Sequence, residues 1–157
     1  MLTRNELAKQ RWAGAHAAID VWLQARQELL VEYFMLAGLP PYARESQALP
    51  AASDITHFCG LLMDYVSAGH FEIYDKVIRN SQGAPAESLQ HVEDDVFPHI
   101  AETTNAALDF NDTYGHITAD TNLPKFDADL SVLGEALSLR MELEDQLLAM
   151  LEQHQLL

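Results

Sequence analysis

Basic residues are scarce in this chain. It has 9 Lys+Arg against 24 Asp+Glu, which gives a formal net charge of −15 with His neutral. A surface of that sign repels phosphate backbones and anionic lipid, so direct binding to nucleic acid or to a membrane surface is excluded as a leading function. What it attracts is a cation or the basic face of another protein. Cysteine is nearly absent: Cys59 stands alone, so there is no internal disulfide framework and no Cys-x-x-Cys motif. Long hydrophobic runs are missing too. The most apolar stretch, residues 29–39, is interrupted by Glu32 and is too short to span a bilayer. Residues 1–6 carry no apolar run behind their first charges, so a signal peptide is not expected and a cytoplasmic location is. There is no internal repeat, no low-complexity segment, no glycine-rich phosphate loop and no clear Ser-His-Asp constellation.

What is present is apolar mass. The chain has 157 residues and is 48% hydrophobic. That suffices for one domain with a real core and sets it apart from acidic disordered tails. The 7 glycines and 6 prolines cluster between periodic segments. The spacing predicts an all-α, single-domain protein with helices over residues 3–37, 54–66, 70–80, 86–110 and 125–153. In the first, Ile19, Leu23, Arg26, Leu30, Tyr33 and Ala37 step by four and three along one face, Thr3 with Glu6 makes a capping box, and Gly38 supplies the stop. The stretch 38–53, with three prolines, reads as a loop. Ser53 or Asp54 caps the second helix, whose stripe is Ile55, Phe58, Leu62 and Tyr65. Ser67-Ala68-Gly69 interrupts it, and a short helix with Phe71, Tyr74 and Ile78 follows, ending before Gly83 and Pro85. Pro98 lies inside the fourth periodic segment and should kink it or shift its start. Residues 111–124 read as a polar loop. The last stripe runs through Phe126, Leu130, Leu133, Leu137, Arg140, Glu144, Leu147 and Leu151. Four such stripes close around one core as a four-helix-bundle-like domain, with one helix broken at Ser67-Gly69 and antiparallel neighbours as the default.

The stripes are violated in informative places. Arg26, Arg140 and Glu144 fall at core-facing positions, with Asp20, Asp64 and Glu135 near the edges. Charge at such positions must be paired. A charged cluster of Arg26, Arg140, Glu144 and further acids such as Glu135 is therefore expected inside the bundle or at its mouth, either as a satisfied ion-pair network or as a polar pocket. The Ser67-to-Phe71 junction is either a plain helix corner or a device that presents Ser67, His70 and Phe71 to a partner. His91 with Asp95, and Asp95 with His99, stand four apart on one helix beside Glu87. A di-iron bundle needs Glu-x-x-His on two helices; the nearest match elsewhere is Asp54-x-x-His57, so the repeat is absent and these residues read as a solvated face. No metal and no cofactor is expected. Cys59 reads as a small core residue.

Specific strings add to this. Asp20-Val21-Trp22-Leu23-Gln24-Ala25-Arg26, followed by Leu29-Leu30-Val31 and Tyr33-Phe34, resembles the first-helix motif of the Rsd/AlgQ family of anti-sigma regulators. The segment Leu62-Met63-Asp64-Tyr65-Val66-Ser67-Ala68-Gly69-His70-Phe71-Glu72-Ile73-Tyr74, preceded by Phe58-Cys59, is a closer match. Gly134-Glu135-Ala136-Leu137-Ser138-Leu139-Arg140 and Leu143-Glu144-Asp145 look like the third family block. The resemblance implies an all-helical bundle that binds and does not catalyse. The implied partner is the primary sigma factor of RNA polymerase, held by its C-terminal promoter-recognition domain (region 4). Binding there would hinder use of sigma by the polymerase core, typically as cells enter stationary phase. Additional stress-response protein partners are possible in the family. The contact residues it implies first are Asp64, Ser67 and Phe71. Asp20, Trp22, Arg26, His70 and Tyr74 match family blocks as further partner-binding residues or as parts of the polar interior, as do Arg140 and Glu144. The alternative to weigh against it is a metal-binding or small-molecule-sensing bundle.

Overall fold

The structure, a computed structural model, describes residues 1–42, 49–75 and 85–153. Its elements are helices α1 (Leu2–Trp12), α2 (Ala17–Ala37) and α3 (Ala52–Ala68), a π-wound segment π1 (Gly69–Tyr74), α4 (Ala86–His91), a second π-wound segment π2 (Val92–Val96), α5 (Phe97–Tyr114) and α6 (Phe126–Gln153). No strand occurs among the described residues. Residues 76–80 of the expected third helix, residues 43–48 of the expected loop and Gly83 lie outside the described residues.

Cross-helix contacts fix the topology. Arg26 of α2 meets Tyr65 of α3, and Tyr33 meets Phe58, so these two helices run antiparallel. Phe58 and Phe110 relate α3 to α5; Thr103 with Arg140 and Tyr114 with Asp129 relate α5 to α6. Arg26 with Glu144, and Tyr33 with the carbonyl of Leu130, close the ring between α2 and α6. Each adjacent pair is antiparallel, the up-down arrangement of a four-helix bundle. One end of the core is aromatic, with Phe110 edge-on to Phe58 at 5.9 Å and Tyr114 edge-on to Phe126 at 5.3 Å. Such pairs add roughly 0.5–1.5 kcal/mol each beyond their buried area. The other end is ionic.

Several local expectations change. The segment 3–37 is two helices. Gly14, at φ +83°, turns the chain between them, His16 caps α2 by accepting from the Ala18 amide, and Asp20 accepts the Gly14 amide at 2.8 Å. The Ala13-Gly14-Ala15 run is compatible with a helix, so periodicity alone did not expose the turn. Neither the Thr3/Glu6 box nor Ser53 or Asp54 caps a helix: α1 starts after Met1 and α3 after Ala51, both without a side-chain cap. Gly38 does end α2 in the left-handed region, with the Leu39 amide returning to the carbonyl of Phe34. At residues 67–69 the helix changes its winding from α to π, with Gly69 at φ −56°. Pro98 falls in the first turn of α5, where a missing amide is tolerated, and the Phe97 amide ahead of it donates back to Val92, five residues away. Helix α5 continues to Tyr114, beyond the expected end at residue 110. Helix α6 follows the sequence expectation to within one residue.

Candidate functional site

The three stripe violations meet at one point. Arg26 and Glu144 are fully buried and Arg140 is 1% exposed. The Glu144 carboxylate accepts four hydrogen bonds. Its Oε1 takes the Tyr74 hydroxyl at 2.6 Å and Arg140 Nε at 2.9 Å; its Oε2 takes Arg26 Nη2 at 3.0 Å and the Tyr65 hydroxyl. That fills the lone-pair sites of a carboxylate. Arg26 also donates to Tyr65 Oη at 3.1 Å and to Asp145 at 2.8 Å, and its guanidinium lies 4.7 Å from the Trp22 ring. Arg140 Nη1 reaches the hydroxyls of Thr103 and Thr104, which themselves donate to the carbonyl of Ile100. Asp145 continues the chain to Arg4 of α1 at 3.7 Å. The two buried guanidiniums are thus balanced by two carboxylates; α2, α3, π1 and α6 are tied to the Glu144 carboxylate, and Arg140 extends the tie to α5. Breaking such a set by removing one member leaves an uncompensated buried charge.

Burial and pairing act in opposite directions on the two arginines of the cluster. Burial alone would lower the Arg26 guanidinium, but Tyr65, Glu144 and Asp145 outweigh it and hold the group above its ordinary value. Arg140 is raised in the same way, burial being overcome by Glu144. Burial, reinforced by Glu144, pushes the hydroxyls of Tyr65 and Tyr74 well above the usual tyrosine range, so both stay neutral donors. Asp145 is raised by burial, with Arg26 pulling the other way. The arrangement clamps helices together.

The expected acid Glu135 is not in this cluster; it is exposed on α6, and Asp145 takes the place assigned to it. Asp20 is exposed and serves the Gly14 turn. Trp22, Arg26 and Tyr74 lie in the interior. Asp64, Ser67, His70 and Phe71 lie outside together, on the exposed side of α3 and π1. Phe71 is 68% exposed, and the His70 ring stands edge-on to it at 5.0 Å. Phe71 thus presents an aromatic ring to water on the helix that also exposes Asp64 and Ser67. A cavity of about 330 Å³ adjoins this face, between π1 and α5, lined by His70, Tyr74, Phe97, Ala101 and Thr104 among others.

Sequence reasoning missed Tyr65, Thr103, Thr104 and Asp145 as members of the network. The available signal was that a tyrosine on a core stripe must find a partner for its hydroxyl. His91 lies 3.0 Å from Asp95, and His99 turns to Glu102, all exposed. Among the described residues no group of three His, Cys, Asp or Glu could hold a metal ion, and no helix is long and apolar enough to cross a membrane. Cys59 is buried, and burial pushes its thiol up to about 11.

The fold and site together are those of an acidic helical bundle with a charged interior and an exposed aromatic ring. Residues 1–152 match the family model described as "Regulator of RNA polymerase sigma(70) subunit, Rsd/AlgQ". The chain is 38% identical over 149 residues to the Regulator of sigma D of Yersinia enterocolitica serotype O:8 / biotype 1B, covering 94% of this chain and 88% of that one. It is 38% identical over 149 residues to that of Yersinia pseudotuberculosis serotype O:1b (94% and 87%), and 34% identical over 151 residues to that of Enterobacter sp. strain 638 (96% and 89%). The chain belongs to the Rsd/AlgQ family, regulators of the RNA polymerase sigma(70) subunit.

Proposed function

We propose that the protein is a cytoplasmic anti-sigma regulator that binds the C-terminal promoter-recognition domain (region 4) of the primary sigma factor and keeps it from the polymerase core. The observation that carries this reading is the exposed set of Asp64, Ser67, His70 and Phe71 on one side of α3 and π1. A promoter-reading domain is a helix-turn-helix, basic because it contacts DNA. A protein of charge −15 is drawn to such a face without touching DNA itself. In this reading Asp64 meets a basic side chain, Ser67 supplies a hydrogen bond and Phe71 is the apolar anchor. Charge governs the on-rate and its salt sensitivity, while Phe71 governs dissociation. The buried residues Trp22, Arg26 and Tyr74 act by holding the fold.

The test is co-purification of the full chain with the isolated C-terminal domain of the primary sigma factor at low and high salt. The expected result is a salt-sensitive complex. Phe71→Ala should weaken it about 30-fold, the equivalent of ~2 kcal/mol for a lost apolar anchor. Asp64→Ala should weaken it and flatten its salt dependence, with helicity unchanged in both variants. No complex for the wild type at low salt would sink the proposal.

A further inference from the structure

Tyr65 and Tyr74 are nine positions apart. In an uninterrupted α-helix, nine positions subtend about 180° modulo full turns, so the two rings would point to opposite sides. Yet both hydroxyls end on the same carboxylate, Tyr65 on Glu144 Oε2 and Tyr74 on Oε1 at 2.6 Å. The π-wound segment reconciles them. A π turn takes up one extra residue, which leaves about 80° between the rings and brings both to the core side. Nothing local in Gly69-His70-Phe71-Glu72-Ile73-Tyr74 demands this winding, for it contains no proline. The demand comes from across the bundle. Tyr74 is held by Glu144, packs against Phe97 with ring centroids 6.2 Å apart, and has the Arg140 guanidinium 5.7 Å from its ring. Gly69 makes room for it. A Cβ at Gly69 would stand 3.2 Å from Tyr74 Oη, so that the hydroxyl would have to give by a few tenths of an ångström, and 3.5 Å from Trp22 Nε1, an ordinary contact.

We infer that the Glu144 carboxylate, acting through Tyr74, sets the winding of residues 69–74 and thereby the outward pose of Phe71. Tyr74 and Gly69 are then positioning residues of the exposed face, although neither touches a partner. The part concerning recognition rests on the proposed binding to sigma. If Tyr74 is released, the segment relaxes toward α winding. Residues beyond it then rotate by about 100° and Phe71 by a part of that, out of the pose it holds beside His70 in the structure.

The experiment measures amide hydrogen exchange by NMR on the full chain, with affinity for the isolated sigma C-terminal domain, for wild type, Tyr74→Phe and Tyr65→Phe. Tyr65→Phe removes a hydrogen bond to the same carboxylate from an α-wound position, so it controls for a merely structural loss. Tyr74→Phe should change the exchange rates of the amides of residues 70–75 at least tenfold, as their acceptors shift from i−5 to i−4, and weaken binding of the sigma domain at least tenfold, while Tyr65→Phe changes both by less than threefold. Should Tyr74→Phe fail to fold, Gly69→Ala, which keeps the hydroxyl but crowds the ring, should give the same signature. Wild-type exchange at residues 70–75 in the folded variant would overturn the inference whatever the binding result. Altered exchange with unchanged affinity would overturn the positioning role. If wild type itself does not bind, the proposed function fails, and the exchange data alone still decide what sets the winding.

Discussion

Residues 69–74 and residues 92–96 share a wide winding that is rare in proteins, yet only the second has a proline behind it. At 92–96 the cause is local. Pro98 lacks an amide and crowds the preceding turn, so the ladder widens ahead of it and the Phe97 amide reaches back to Val92. At 69–74 the cause is tertiary: a tyrosine is pulled onto a carboxylate that belongs to another helix. The two turns meet where Phe97 packs on Tyr74. The turn at 92–96 is a consequence of covalent structure and carries no residue of the proposed binding face. The turn at 69–74 lies between a buried ionic network and an exposed aromatic ring, a place where π turns often accompany function. The same local geometry thus has different standing depending on what holds it.

The largest effect that can separate the two comes from Glu144→Ala. It leaves Arg26 and Arg140 buried without their shared carboxylate and should cost about 3–5 kcal/mol in chemical denaturation. Retention of wild-type stability would mean that the network does not hold the fold.

A smaller effect is set by pH. Burial, with Glu144 adding to it, keeps the hydroxyls of Tyr65 and Tyr74 well above their ordinary value of 10.0. A folded-state value raised above the unfolded one gives stability that is full below about pH 10 and is lost as pH rises toward the folded value. Each tyrosine should therefore contribute a slope of about 1.4 kcal/mol per pH unit above pH 10. Unfolding curves taken between pH 8 and 11 should be steeper for wild type than for Tyr65→Phe or Tyr74→Phe. Equal slopes would show that neither hydroxyl is buried as described.

The smallest effect belongs to the proline turn. Pro98→Ala should change stability by no more than about 1 kcal/mol, because a lost restraint on the unfolded chain offsets a regained hydrogen bond. A loss several times larger in the same denaturation assay would give π2 a tertiary role like that of π1.

Much of this architecture was legible in the residues alone. The stripe of α6 was followed almost to its ends, and Arg26, Arg140 and Glu144 were visible as charges where apolar groups belong. The consequence of Pro98 was visible because it is local. Tyr65 and Tyr74 were harder, since a tyrosine on a stripe looks apolar until its hydroxyl is assigned a partner. Asp145 lies at the stripe's margin and becomes a partner only through the reach of Arg26, whereas Glu135, equally marginal, points to solvent. Ser67-Ala68-Gly69 carries the composition of a corner, so the sequence predicts an interruption where the helix continues in π winding. The inferred cause, the hold of Glu144 on Tyr74, exists only when distant helices are brought together.

That the turn at 69–74 is held from across the bundle is tested most directly by the crystal structure of the Tyr74→Phe protein. The hydrogen-bond ladder there should close to α winding and Phe71 should leave its present pose against His70, while residues 92–96 stay π-wound ahead of Pro98. A ladder still π-wound at 69–74, with Phe71 in its original pose, would contradict it.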